Sequence, residues 1–218
     1  MFDEPLENEG ITLKKIIGWL AIIFIGSFIL SIPFLSFSSN LSKYIHLIVS
    51  KSWSFICLYV IMRKEKLTIK DCFKNITIKN IIFSLSAVII LMILRNMLSD
   101  LLSRIPLITF VPIDIDDIDS AYDPSLFWFD ILNSVILAPI FEEVLLRGII
   151  LDGLTKQHSN MYAIIVSSIV FALAHVFLPT KILALISGII LGICYIRTKS
   201  IFMCILIHSL YNFSNRFT

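Results

Sequence analysis

The stretch FWFDILNSVILAPIFEEVLLRGIILDGLT, residues 127–155, decides how the rest of the chain is read. Its apolar residues run on without the period-two alternation of a barrel strand, so the stretch is read as a helix. A hydrocarbon core takes ~20 helical residues to cross, and this stretch is longer than that. Yet it carries Asp130, Glu142, Glu143 and Arg147. Ionisable side chains at membrane depth are costly, and by default each is a functional candidate.

The surrounding sequence agrees with a membrane setting. Of 218 residues, 57% are hydrophobic and only 16% are charged, and the mean hydropathy is +0.91. A soluble domain of this length carries more charge, about a quarter of its residues. Seven apolar segments are predicted: 16–38, 44–62, 80–99, 127–155, 161–178, 181–197 and 200–216. The sixth and seventh are short and must lie nearly straight or stop inside the interface. The expected fold class is therefore all-α, a polytopic membrane bundle of about seven transmembrane helices. No internal repeat or linker divides the chain. It reads as one integrated domain with two regions. Residues 1–125 hold three spans and an acidic loop, and residues 126–218 hold four spans.

Charge gives an orientation. The loop after the second segment carries Arg63, Lys64, Lys66, Lys70, Lys74 and Lys79. The stretch after the third carries Asp114, Asp116, Asp117, Asp119 and Asp123, with Arg104 as its one base. Basic excess marks the cytoplasmic side. The N-terminus, with Lys14 and Lys15, is then expected inside the cell and the C-terminus outside. The N-terminus is read as a retained first span because no small-residue cleavage site follows its apolar run. The net charge of +2 is too small to point to nucleic acid. Cys57, Cys72, Cys194 and Cys204 form no C-x-x-C pair and imply no disulfide framework.

The remaining ionisable residues inside the segments are Lys51, Arg95, His175 and His208, with His46 and Asp152 nearer segment ends. Glu143 and Arg147 stand four apart and pair on one helical face. Glu142 points about 100° away from that pair. It is left with no local counter-charge and suits a general base or acid. Phe171 and His175 share a face, as do His208 and Asn212, whose ring nitrogen and amide suit a developing oxyanion. The turn between the fourth and fifth segments centres near residue 158. Glu142 and His175 are almost equidistant from it, each ~24 Å away along a helix. An acid and an imidazole thus meet at one depth, and His208 falls only approximately level with them. Gly188 and Gly192 form a G-x-x-x-G, a surface for close helix packing.

The order Glu-Glu-x-x-x-Arg, Phe-x-x-x-His, His-x-x-x-Asn on successive late helices resembles the CAAX prenyl protease and bacteriocin-processing (CPBP) family of intramembrane proteases. The resemblance covers roughly the last 90 residues; the first 120 carry no signature of it. It implies peptide-bond hydrolysis inside the membrane, on a small peptide or a membrane-associated protein. By matching positions, Glu142 activates a water with help from His175, and His208 and Asn212 stabilise the oxyanion. Glu143 and Arg147 hold the geometry, with Phe171 as support. The resemblance extends to maturation of bacteriocins or peptide pheromones and to self-immunity. The orientation count places the site in the outer half of the membrane, which does not suit a prenylated cytosolic substrate. A zinc ion on Glu142, His175 and His208 is the alternative to a metal-free route. The chain has no H-E-x-x-H and a glutamate-activated water needs no metal, so the metal-free route is preferred. The rival to an enzyme is a non-enzymatic membrane immunity or partner-binding protein. The expected partners are the lipid bilayer and a peptide or protein substrate, and the sequence sets no oligomeric state.

Overall fold

The computed structural model describes residues 10–34, 40–104, 127–175 and 178–215. The acidic N-terminus, the acidic stretch at 114–123 and the side chain of Asp130 lie outside the described residues. Every described element is helical. The helices are α1 (Leu13–Ser31, extended by a tight turn Ile32–Phe34), α2 (Asn40–Lys64), α3 (Ile69–Cys72) and α4 (Ile78–Ser103). Then come α5, a continuous rod over residues 127–155, α6 (Asn160–Leu173), α7 (Leu178–Thr198) and α8 (Ile201–Ser214).

Seven of these correspond to the seven apolar segments, and α3 is an extra turn in the basic loop. Among the described residues, four stretches are long and apolar enough to cross a membrane: Leu13–Phe34, Ile45–Lys64, Ile78–Leu101 and Leu178–Thr198. Helices α6 and α8 have 14 residues each. At 1.5 Å per residue that is about 21 Å, short of a ~30 Å core. The sequence places the end of the fifth segment at residue 178, but α6 stops at Leu173. The N–H of Ala174 turns back to the carbonyls of Val170 and Phe171, and that of His175 to Ala172. The apolar run continues through Val176 and Phe177, so apolarity alone cannot mark the stop.

Rod α5 is not a regular helix. Leu132–Leu137 and Val144–Leu151 are wide turns in which the ladder steps back five residues. The N–H of Ala138 bonds the carbonyl of Asn133, and that of Asp152 bonds Arg147. Pro139 explains the first widening. Its ring would clash with the carbonyl four residues back, and it has no N–H to donate. A wide turn just before it relieves both problems. Such turns inside α-helices recur at functional sites.

All eight residues of Val144–Leu151 are buried. Around this turn pack α6, α7 and α8, with α4 against α7 and α8 and the α1–α2 hairpin alongside. Lipid-embedded helices gain nothing from the hydrophobic effect, so they associate through close fit and polar contacts. Gly188 and Gly192 supply the fit between α6 and α7. A Cβ at Gly188 would lie 3.1 Å from the Ser168 Cα, and one at Gly192 3.1 Å from Ile164. By contrast α1 turns Ile17, Phe28 and Ile25 outward.

The start of α1, the α2–α4 loop and the α5–α6 and α7–α8 turns gather at one end. They surround a polar cavity of about 380 Å³ lined by Lys66, Lys74, Lys156 and Lys199. The basic loops assigned to one side by charge counting therefore share one end of the bundle. Left-handed residues close helices there. Lys66 (φ 56°) ends α2, with its N–H on Arg63 and the Leu67 N–H on Met62, a paired-bond cap. Lys199 (φ 50°) ends α7 in the same conformation.

Candidate active site

Rod α5 presents two neighbouring carboxylates in unlike surroundings. Glu143 is completely buried, and so is Arg147 one turn on. Arg147 Nη1 donates to Glu143 Oε1 at 3.1 Å. Its Nε also lies 3.1 Å from Oε2, but not aligned as a hydrogen bond, so the first contact holds the pair. The other arm of the guanidinium, Nη2, donates to the main-chain carbonyl of Gly188 at 3.0 Å. The missing side chain of Gly188 faces Ser168 and lets α7 pack closely on α6. Arg147 also lies over the ring of Phe171, 5.3 Å from its centre.

Helix α8 completes the group. His208, nearly buried, has Nδ1 2.8 Å from Glu143 Oε1. An ionised carboxylate only accepts, so that nitrogen carries a proton. Nε2 is then the nitrogen left for the site, 3.7 Å from Glu142 Oε2. Glu143 thus binds Arg147 and His208 at once. The sequence pairs it with Arg147 and gives no hint of the second partner, since His208 lies 65 residues away.

Glu142 is partly accessible, its side chain 29% exposed. It lines a cavity of about 250 Å³ between α1, α2, α5 and α6, together with Phe171 and Ala174. At ~30 Å³ per molecule, that space holds several waters. Lys51 and Ser27, Ser50 and Ser54 of the α1–α2 hairpin line the same cavity. Among the described residues Lys51 makes no ion pair or hydrogen bond. The sequence marks Lys51 as an intramembrane charge but does not connect it to Glu142. That connection depends on how α2 docks, which no local pattern encodes.

Phe171 is the ring at the centre. His175 packs edge-on against it at 5.0 Å and His208 at 5.5 Å. His175 Nδ1 lies 3.0 Å from the Phe171 carbonyl, which fixes the ring just beyond the end of α6. Glu142, Glu143, Arg147, Phe171, His175 and His208 are therefore one cluster. No hydrogen bond joins Glu142 to His175 among the described residues, and Phe171 stands as their link.

Asn212 sits one turn beyond His208. Its Nδ2 donates to the carbonyl of Ser134 at 2.8 Å. In a regular helix that carbonyl would be taken by the N–H of Ala138. The wide turn sends that N–H to Asn133, and the Ser134 carbonyl accepts from α8. Sequence reasoning places Asn212 beside the oxyanion; here one of its amide protons ties α8 to α5.

The other ionisable residues lie apart. His46 bonds Ser31, Arg95 reaches Asn215 from α4, and Asp152 accepts from the Tyr195 hydroxyl. Among the described residues no three His, Cys, Asp or Glu side chains converge closely enough to hold a metal ion. Glu142, His175 and His208 do not close into a zinc set in this arrangement, and no step below passes through a metal.

Comparison with known proteins falls on this same part of the chain. Residues 124–214 match the family described as Type II CAAX prenyl endopeptidase Rce1-like. The chain is also similar to a candidate membrane peptidase, YdiL of Bacillus subtilis (strain 168), at 33% identity over 82 residues. That similarity takes in 38% of this chain and 34% of YdiL, about a third of the relative's length. No solved structure matches. The motifs on α5, α6 and α8 all lie within the matched residues.

Proposed function

We propose that this chain is an intramembrane endopeptidase acting on a small peptide or a membrane-associated protein. The observation that carries the reading is the split between the two glutamates. Glu143 is consumed by Arg147 and His208, whereas Glu142 is partly exposed and lines a cavity with room for water.

Glu142 takes a proton from a water in that cavity as the water attacks the scissile carbonyl; the tetrahedral intermediate then collapses with cleavage of the C–N bond, and Glu142 returns the proton to the leaving amine. His208 faces Glu142 through Nε2; when this nitrogen is protonated it donates to the developing oxyanion. Glu143 holds the ring in that orientation and balances its charge. Arg147 in turn balances Glu143. His175, fixed against Phe171, assists at the rim, and Asn212 holds α8 at the height His208 needs. The route needs no metal. The N-terminus lies inside the cell, because the cluster of basic turns belongs on the cytoplasmic face, and the C-terminus lies outside. A peptide such as a bacteriocin or pheromone precursor, processed for maturation or self-immunity, is the substrate class that fits.

The test is cleavage of a quenched-fluorescent peptide library by the full chain in proteoliposomes. Glu142→Gln and His175→Ala are expected to keep normal helix content, and Glu142→Gln to lose at least about a hundredfold in rate. A chelator is expected to leave the wild-type rate unchanged. Cleavage that survives both substitutions overturns the assignment of Glu142 and His175, and no cleavage by the wild type overturns the enzyme reading. Loss of activity with chelator, restored by zinc, overturns the metal-free route alone.

A further inference from the structure

On the far side of α5 from Glu142 lies a second, larger space. It is a groove of about 850 Å³ between α2, α3, α5 and α8. Phe55 of α2, Val144 of α5 and Phe202 and Ile205 of α8 form its walls. The groove lies among membrane helices.

Its charged residues all have one sign and one place. Arg63, in the last turn of α2, and Lys70, in α3, are the two charged residues that line it. Both are exposed, and among the described residues neither makes an ion pair. Of the two nearby acids, Glu65 lines the polar cavity and Asp71 is already used. Asp71 pairs with Lys74 and accepts from the Thr68 N–H and hydroxyl, which holds its carboxyl well below the usual carboxylate range. The groove is thus an apolar slot with two free cations at the end where the basic turns gather.

We propose that this groove holds one anionic phospholipid, its acyl chains against α5 and α8 and its phosphate between Arg63 and Lys70. The apolar walls suit hydrocarbon, and the two unpaired bases select a negative head group over a zwitterionic one. Basic pockets between membrane helices at the cytoplasmic side are suited to such head groups. Ile140 and Val144 both face the groove and flank Glu142 and Glu143 on the same rod. The bound lipid therefore braces α5 from behind, and the inference stands apart from the peptidase reading.

The experiment is native mass spectrometry of the full chain released from vesicles of equal dioleoylphosphatidylglycerol and dioleoylphosphatidylcholine. Wild type is expected to retain one phosphatidylglycerol in preference. Arg63→Gln with Lys70→Gln is expected to lower that preference by about thirtyfold, as two surface charges are lost. Lys14→Gln with Lys15→Gln removes the same charge at the start of α1, away from the groove, and is expected to change nothing. Ile205→Trp narrows the slot and is expected to reduce retention of both lipids. Circular dichroism checks that each variant keeps its helix content, and each single substitution, Arg63→Gln or Lys70→Gln, is expected to give part of the loss. Equal retention of the two lipids by wild type overturns the proposal. So does an equal loss in the Lys14/Lys15 variant, which would mean a general basic belt and no site.

Discussion

Helix α1 and the centre of α5 are built from similarly apolar sequence, yet they use it in opposite ways. In α1, three of 19 residues are buried, and its large side chains face outward. In Val144–Leu151 every residue is buried, Arg147 included. One region spends its apolar residues on the solvent, which here is lipid. The other encloses an ion pair. The difference teaches that hydropathy in a membrane protein reports the medium, and that burial has to be read from polar and small residues.

The largest test of that contrast is Arg147→Ala. Removing one partner of a buried ion pair leaves the other charge uncompensated, at a cost of about 3–5 kcal/mol. We expect loss of folded protein, measured as detergent-resistant helix content on heating. Removing Glu142 should leave that content unchanged, since Glu142 is partly exposed and its ionisable neighbour, His208 Nε2, stands 3.7 Å away. If Arg147→Ala is stable, the enclosed pair is not what organises this end of the bundle.

Gly188→Leu comes next. The Cβ would meet the Ser168 backbone at about 3.1 Å, and the rest of the side chain would push α6 and α7 apart. Overpacking of this kind costs typically ~1–3 kcal/mol. It would also draw the Gly188 carbonyl away from Arg147. We expect a lower melting temperature together with reduced peptide cleavage. The smallest effect belongs to the hairpin. Phe28 is 65% exposed, and Phe28→Ala should shift stability by no more than about 0.5 kcal/mol. A large shift would mean that α1 packs against something other than lipid.

Much of this was legible in the sequence. The seven apolar runs reappear as seven helical rods, because continuous apolarity over that length has few other outcomes. The Glu143–Arg147 pair was legible from its four-residue spacing, and so were the shared faces of Phe171 with His175 and of His208 with Asn212. Three features were not. The Glu143–His208 bond joins helices distant in sequence, and spacing carries no information about it. The cavity shared by Glu142 and Lys51 depends on the docking of α2. The stop of α6 before His175 falls inside an unbroken apolar run.

The widened turn at Leu132–Leu137 has a consequence for anyone moving these motifs to another scaffold. Asn212 is held by an oxygen of the peptide chain at Ser134, and Arg147 by another at Gly188. Neither acceptor is a side chain, so the residue letter at 134 is silent about the contact it makes. A graft that copied every motif side chain onto an ideal helix would find the oxygen at 134 already spoken for. What has to be inherited at that position is the shape of the main chain, with Pro139 as its visible trace.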